Sequence, residues 1–519
     1  MRQISGKRPT GAAAAKRQKV LKARLTLLGL LVLAAGGIWL LASALSQIKT
    51  VTELTVDASE YQVLAALPTQ SEIDQAQREE EMKIENEIFE QKDSYPIDMI
   101  IQTPYCVMYD VQGRQVLYSK NAEEKAYPAS TTKIMTASIM MEYTDKDTVF
   151  TAGDEQSLVQ PGSSLAYLNV GSQLDREMML DAIMLPSGND ASYCAAAVTG
   201  RIIAGDEALP AEEAVNVFVN KMNEKAKELG CKNTHFANPD GLHDPNHYTT
   251  ARDMYKITTY ALTLPRFEEI TNTCTYTCDG DDTPLVTTNY LIDANRGGEY
   301  YYMYAKGIKT GTTNEAGRCL VTTASADGYS YMAILLHAPY EEGVTEDYAT
   351  MTDAADLFRW ALTSLEMNTV ATSSKPLCEV KVNLAWGKNS TLLYPETDLS
   401  AIVPKDCTDE NIIIEQDVPE SIDAPIDKGT VVGKATIYYK ADENSKKQKL
   451  AEVNVVAGEK IELSGILYVF NVIGTVFQSY WFIVVIALIV LILIIYLIIS
   501  KISSKRKKKK RNVKHYRNL

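Results

Sequence analysis

The chain has 519 residues, with 52 Lys/Arg, 66 Asp/Glu and a formal net charge of −14; 46% of its residues are hydrophobic and 23% are charged. That length implies more than one domain, and the composition excludes wholesale disorder. The charge averages unlike parts: residues 1–24 hold eight Lys/Arg and residues 500–519 hold ten, neither with any acid, which leaves 34 basic against 66 acidic residues between them, about −32. This sign argues against a nucleic-acid-binding body, because phosphate recognition needs the opposite one.

In chain order, the basic tail 1–24 is followed by an uncharged apolar run, Leu25–Leu45. It reads as a retained membrane anchor or as a secretory signal, with Ala42-Ser43-Ala44 as a small-residue cleavage site. Residues 46–96 form a stalk or linker, and the polar stretch 69–93, free of Gly and Pro, predicts an exposed helix. Residues 97–366 carry strands at both ends and helices between. Strands are predicted at Met99–Tyr109, Gln115–Ser119, Ile308–Thr310, Cys319–Ala324 and Ser330–Leu336. Helices are predicted at Ser130–Tyr143, Arg176–Met184, Ala191–Gly200, Glu212–Leu229 (closed by Gly230) and Met351–Leu365. This is an α+β domain whose first and last strands share one sheet.

Residues 367–457 read as a small all-β domain, with strands at Glu379–Leu384, Ile412–Gln416, Thr430–Tyr439 and Leu450–Val456. A linker, 458–479, leads to a transmembrane helix at 480–499. Its core, Trp481–Ile499, has no charge and is long enough, at ~1.5 Å per residue, for a ~30 Å hydrocarbon layer. The polybasic tail 500–519, with KRKKKKR at 505–511, sets the C-terminus in the cytoplasm beside anionic lipid and the body outside it. The eight cysteines show no CxxC pair and no zinc spacing, and read as isolated thiols acting as small core residues.

Three short motifs carry chemistry. Ser130-Thr131-Thr132-Lys133 opens an apolar helix, so that Ser130 and Lys133, at i and i+3, share a face. A serine needs a nearby base to become a nucleophile, and a lysine is such a base only when its pKa is pushed down. Ser187-Gly188-Asn189 lies in a loop between helices, and Lys309-Thr310-Gly311-Thr312 lies on a late strand. In that order they form the set SxxK, SxN, KTG. Ser187 suits proton relay, Asn189 suits holding a substrate amide, and Lys309 with Thr310, Gly311 and Thr312 suits a substrate carboxylate beside a strand that pairs with extended peptide. The backbone N–H groups of Ser130 and Thr312 suit an oxyanion hole.

The chain closely resembles the low-molecular-mass penicillin-binding proteins that are serine-type D-alanyl-D-alanine carboxypeptidases. The resemblance rests on TPYCVMYDVQGRQVLYSKNAEEKAYPASTTKIMTA (103–137), MLDAIMLPSGNDASYCAAAV (179–198), MNEKAKELGCKNTHFANPDGLHDPNHYTTARDM (222–254) and GIKTGTTNEAGRCLVTTA (307–324), with APIDKGTVVGKATIYY (424–439) in the β domain. It implies a β-lactamase-like catalytic domain and attack by Ser130 on the penultimate carbonyl of a peptidoglycan stem peptide ending in D-Ala-D-Ala. It further implies inhibition by β-lactam antibiotics, and no metal or organic cofactor. Two departures stand out. Many relatives carry an Arg after the strand ending Leu335-Leu336-His337, where this chain has no Arg until Arg359. Arg318 replaces a usual aromatic, and either compensates or sits on the surface of its strand. Competing readings are a β-lactamase using Glu212 or Glu213, a metallopeptidase using His243, Asp244 and His247, and a non-catalytic wall-binding protein. The tyrosine-rich run 299–304 reads as a strand edge, with a cleft lining as the alternative.

Overall fold

The computed structural model describes residues 95, 97–112, 115–277, 284–341, 348–478 and 480–515. The expected first anchor, the helix 69–93 and Cys278 lie outside the described residues.

Strands β1 (Tyr105–Asp110) and β2 (Gln115–Lys120) form an N-terminal hairpin. Late in the domain come β3 (Ala305–Thr313), β4 (Gly317–Ala326) and β5 (Tyr329–Ala338). All five join one antiparallel sheet in the order β2-β1-β5-β4-β3, so the first and last strands of the domain do share a sheet. Successive side chains on a strand face opposite sides, and here both sides are covered. Val107 and Tyr109 of β1, with Met332, Ile334 and Leu336 of β5, face one core; Cys106, Met108, Tyr331, Ala333 and Leu335 face the other. Burial on both faces explains why these strands read as continuous apolar runs rather than alternating ones.

The first core is closed by α1 (Lys133–Tyr143), α2 (Arg176–Met184), α3 (Asn189–Ala204), α4 (Ala211–Glu228) and α5 (Ala251–Leu262). Helix α1 is buried from Lys133 through Met141, and its buried hydroxyls are satisfied, Thr136 by the Pro239 carbonyl at 2.6 Å and Ser138 by that of Ile134 at 2.7 Å. Helix α5 was not expected from the pattern, although its signal is present: the side chain of Thr250 caps the N–H of Asp253. The second core is closed by α6 (Ala349–Ser364).

The expected strand Met99–Tyr109 begins only at Tyr105. The backbone N–H groups of Gln102 and Thr103 turn away to the carboxylate of Asp353 on α6, at 3.1 and 2.7 Å, and the Thr103 hydroxyl reaches it at 2.6 Å. Pro104 has no N–H to continue a ladder. Asp353→Ala strips two buried donors of Thr103, and the less buried N–H of Gln102, of their acceptor; it is expected to lower unfolding free energy by about 2–3 kcal/mol, measured by chemical denaturation.

The second domain contains a two-stranded pair, β6 (Leu365–Ala371) with β9 (Leu399–Pro404). Its larger sheet holds β7 (Cys378–Asn383), β8 (Ser390–Pro395), β10 (Ile412–Asp417), β11 (Ser421–Asp423), β12 (Val431–Tyr439) and β13 (Gln448–Ala457), in the order β10-β12-β13-β8-β7-β11. The two domains share apolar packing: Ile402 and Tyr439 join the core of Tyr95 and Leu117. The Gln115 amide binds Ile402 from both sides, donating to its carbonyl at 3.0 Å and accepting its N–H at 3.1 Å. Tyr95, at the end of the expected linker, is 1% exposed and belongs to this junction.

Residues 458–479 are not a plain linker. They include an apolar helix, α7 (Gly465–Gln478), followed by α8 (Tyr480–His515). Within α8, Ile483–Ile502 is long and apolar enough to cross a membrane, and none of it is covered by the rest of the protein. The seven described cysteines are free thiols; Cys106, Cys194 and Cys319 are buried, in keeping with small core residues.

Candidate active site

The turn that presents Ser130 is held on two sides by backbone. Ala129 adopts a left-handed conformation (φ 47°) and opens a short 3-10 turn, Ala129–Thr132, that runs into α1. A non-glycine residue held there costs of order 1–3 kcal/mol and persists only if its surroundings impose it. Two glycines do so. A Cβ on Gly241 would lie 1.9 Å from the Ala129 carbonyl oxygen, and a Cβ on Gly311 would lie 2.8 Å from the Ser130 nitrogen. Strand β3 therefore presses directly on the nucleophile turn, through the glycine of the KTG motif.

Lys133, the first residue of α1, has no solvent exposure. Its ammonium donates to Ser130 Oγ at 3.0 Å, to Asn189 Oδ1 at 2.8 Å and to the Asp240 carbonyl at 2.7 Å. Three acceptors match its three protons, so it is a fully satisfied buried cation. Burial pushes its pKa down to about 8, with the carboxylates of Asp240 and Asp190 partly opposing the fall. This is the environment a general base requires.

Ser187 precedes α3 with φ 62°, and its Oγ is buried without a hydrogen-bond partner. It makes no bond to Lys133 in this state. Next to it, the Asp190 carboxylate takes the N–H groups of Ala166 and Leu168, both at 2.8 Å, and the Asn189 N–H binds the Ser164 carbonyl at 2.8 Å. The Ser-Gly-Asn loop is thus tied to residues 164–168.

Lys309, on β3, is 1% exposed and donates to the Thr310 carbonyl at 3.0 Å. Burial, and then the positive charge of Lys133, hold its pKa well below the ordinary lysine value. Thr310 Oγ1 meets Thr288 Oγ1 at 2.5 Å, while Thr312 is exposed on the strand and pairs across the ladder with Arg318. Arg318 is not on the surface. It is 6% exposed, and its guanidinium lies over the Tyr348 ring at 4.0 Å and near the Tyr340 ring at 5.2 Å.

The sequence reading missed Asp240, Gly241 and His247 as parts of the site. The His247 Nδ1 accepts the Ala237 N–H at 3.2 Å, so its Nε2 carries the proton and donates to Thr132 Oγ1 at 2.8 Å. Burial drives its pKa down to about 3, which keeps the ring neutral. It pins the loop of Asp240 and Gly241 to the nucleophile turn. His243 packs edge-on to Tyr127, and His235 Nδ1 binds the Asn246 carbonyl, so each ring of the H-D-x-x-H region is engaged by a different neighbour. Among the described residues, no three His, Cys, Asp or Glu side chains converge as a metal set. Glu212 and Glu213 are exposed in the first turn of α4. The tyrosine run is not a strand edge: it precedes β3, with Tyr300 packed on Tyr348 and Tyr302 on Phe358 of α6.

A half-buried serine bonded to a fully buried lysine at the start of a central helix, facing a lysine-bearing edge strand, is the constellation of a serine acyl-transferring enzyme. A family model described as D-alanyl-D-alanine carboxypeptidase matches residues 92–340, and one described as the C-terminal domain of penicillin-binding protein 5 matches residues 366–463. The D-alanyl-D-alanine carboxypeptidase DacF of Bacillus subtilis is 33% identical over 371 residues, which span 70% of this chain and 86% of that relative. DacA of Haemophilus influenzae is 27% identical over 348 residues, 65% of this chain and 80% of its own length. The solved structure of DacD from Francisella tularensis shares the fold, with a TM-score of 0.55 and 23% identity over 72% of this chain and 97% of that one. The chain belongs to the D-alanyl-D-alanine carboxypeptidase family of serine peptidases, with the C-terminal β domain of penicillin-binding protein 5. It is a serine DD-carboxypeptidase by family, and the family's general mechanism is a serine acyl-enzyme.

Proposed function

We propose that Ser130 is the nucleophile that removes the terminal D-Ala from a peptidoglycan stem pentapeptide, at the outer face of the cell membrane. The observation that carries this reading is the solvent-free Lys133 ammonium, 3.0 Å from Ser130 Oγ. In its neutral form Lys133 takes the serine proton as Oγ attacks the penultimate carbonyl. The oxyanion is received by the N–H groups of Ser130 and Thr312. The proton passes through Ser187 to the nitrogen of the leaving D-Ala, and the amide bond breaks. Water then attacks the ester and gives its proton to Lys133, which returns it to Ser130 Oγ as the ester C–O bond breaks, freeing the acid and restoring the serine hydroxyl. Asn189 holds the substrate amide, while Lys309, Thr310 and Thr312 face its carboxylate and Gly311, lacking a Cβ, leaves room for the nucleophile turn. Penicillin opens on the same serine.

Helix α8 anchors the chain in the membrane, and the basic tail beyond it faces the anionic cytoplasmic leaflet. By the same charge logic the run 25–45 is a second anchor or a cleaved secretory segment, and the body lies outside in either case.

The direct test is release of D-Ala from a D-Ala-D-Ala peptide, with labelled penicillin mapped to the Ser130 peptide. Penicillin hydrolysis without a stable adduct points to a lactamase, and no acylation at all refutes the enzymatic reading. The rate has a defined pH dependence. Because Lys133 acts unprotonated and its pKa is lowered to about 8, acylation rises with pH below that value by about tenfold per unit and levels off near it. A profile flat from pH 5 to 8 assigns the base elsewhere.

A further inference from the structure

Trp386 is the most exposed tryptophan the structure describes: 73% of it is open to solvent. It sits at the tip of the hairpin joining β7 to β8, where Leu384 (φ 61°) and Gly387 (φ 77°) turn the chain and Ala385 beneath is buried. An exposed Trp on a loop tip is unexplained by the β domain itself, since its large apolar surface covers nothing there.

Its place in the fold suggests what covers it. The carbonyl of Leu384, two residues before Trp386, accepts the N–H of Ser464 at 2.7 Å, and Lys388 pairs with Glu459. The tryptophan turn is therefore fastened to the root of α7, which starts at Gly465. Helix α7 spans 14 residues, about 21 Å at ~1.5 Å per residue, which is too short to cross a ~30 Å hydrocarbon layer. It carries no charge, and Ile466, Val469, Phe470 and Ile473 are exposed along it, while Tyr468, Asn471 and Thr475 recur at helical spacing as a narrow polar stripe. Its end is five residues from Ile483, where the membrane-crossing stretch of α8 begins. A helix that is too short to span, exposes apolar residues along its length and precedes a span is most readily covered by lying in the membrane interface. The hairpin bonded to its start is held at that same level.

We propose that Trp386 inserts into the interfacial zone of the bilayer on the side facing the catalytic body, giving the β domain a membrane contact separate from the α8 anchor. Tryptophan favours that zone because its ring prefers the apolar edge and its N–H the headgroups. The contact is apolar rather than electrostatic: the neighbouring Lys388 is already paired with Glu459. It therefore forms on zwitterionic lipid. Two points of attachment, the α7 root and the hairpin tip, limit how far the β domain tilts and so how high the Ser130 cleft stands above the membrane.

The inference rests on α8 being an anchor, and the test separates the two. The chain has four tryptophans, Trp39, Trp360, Trp386 and Trp481. The full chain with the first, second and fourth changed to Phe is reconstituted into phosphatidylcholine vesicles, with or without lipid brominated near the headgroup. Labelled penicillin binding reports that the variant is folded. The expected result is a blue-shifted Trp386 emission that loses most of its intensity in brominated vesicles and is insensitive to iodide. Red, iodide-quenched emission in vesicles that carry the protein on flotation overturns the proposal and leaves the anchor intact. Emission shielded from iodide but untouched by bromine also overturns it, in favour of contact with a second protein copy. A chain that does not float with vesicles removes the anchor and this contact together.

Discussion

Ser130→Ala, Lys133→Met and the double variant are each expected to lose penicillin acylation and D-Ala release to the same level, roughly 10³-fold or more below wild type. The equality follows from the geometry. Ser130 Oγ has one buried base within reach, and the Lys133 ammonium touches the serine directly at 3.0 Å. Neither member has a function in acyl transfer without the other, so their losses do not add. The two single variants differ in stability. Ser130→Ala removes one acceptor of Lys133 and leaves two, so unfolding changes little. Lys133→Met strands Asn189 Oδ1 and the Asp240 carbonyl in a site closed to water, at about 1–3 kcal/mol for each group left unpaired, partly offset by no longer burying a charge. Rates by labelled penicillin and unfolding by denaturant, measured side by side, separate the chemical from the structural loss. A double variant far slower than either single one assigns a second base.

Gly311→Ala is the second large effect, and it comes from shape alone. The added methyl would stand 2.8 Å from the Ser130 nitrogen, 3.0 Å from the Thr131 nitrogen and 3.1 Å from the Ala129 Cβ. Two of these are backbone atoms of the nucleophile turn, which cannot rotate out of the way. Either β3 retreats or the turn does, and both disturb the Ser130 N–H proposed for the oxyanion hole. A displacement approaching 1 Å costs about 10²-fold in rate, and the acylation rate of this variant is expected to fall by at least that much. Lys309 and Thr310 remain in the chain, so a substrate-analogue binding constant that falls less than the rate distinguishes this from loss of the carboxylate contact. Gly311→Ala at wild-type rate shows that β3 does not hold the turn.

Much of this arrangement was readable in one dimension. The strands at the two ends of the first domain, helices α1, α2, α3, α4 and α6, and the three motifs were each carried by local pattern: apolar runs, a capping glycine at 230, and the i, i+3 spacing of Ser130 and Lys133. Where the pattern misled, a long-range bond was responsible. Residues 99–104 look like strand, but Asp353, some 250 positions away, takes the N–H groups of Gln102 and Thr103. Strands β6, β8, β9 and β11 also escaped: β6 follows α6 with no breaker residue between them, β8 and β9 each end in a proline, and β11 has three residues; α7, in the stretch read as a linker, has its apolar pattern interrupted by Asn471, Gly474 and Thr475. The tyrosine run 299–304 offered an aromatic face with no sign of which neighbour it would meet; the structure gives it α6.

The chemistry divides along the same line. From the residues alone come the order SxxK, SxN, KTG, the appended β domain and the charge geography of basic tails around an acidic body, because these depend on residue type and near-neighbour spacing; the reaction class came from the family resemblance those motifs carry. Folding alone brings Asn189 and the Asp240 carbonyl onto Lys133 from 56 and 107 positions away, pins that loop with a neutral His247, and presses Gly311 on Ser130. It also takes Arg318 off the surface and onto Tyr348. A lysine pKa lowered to about 8 is a property of burial. Burial is produced by contacts between distant segments, and no local pattern encodes it.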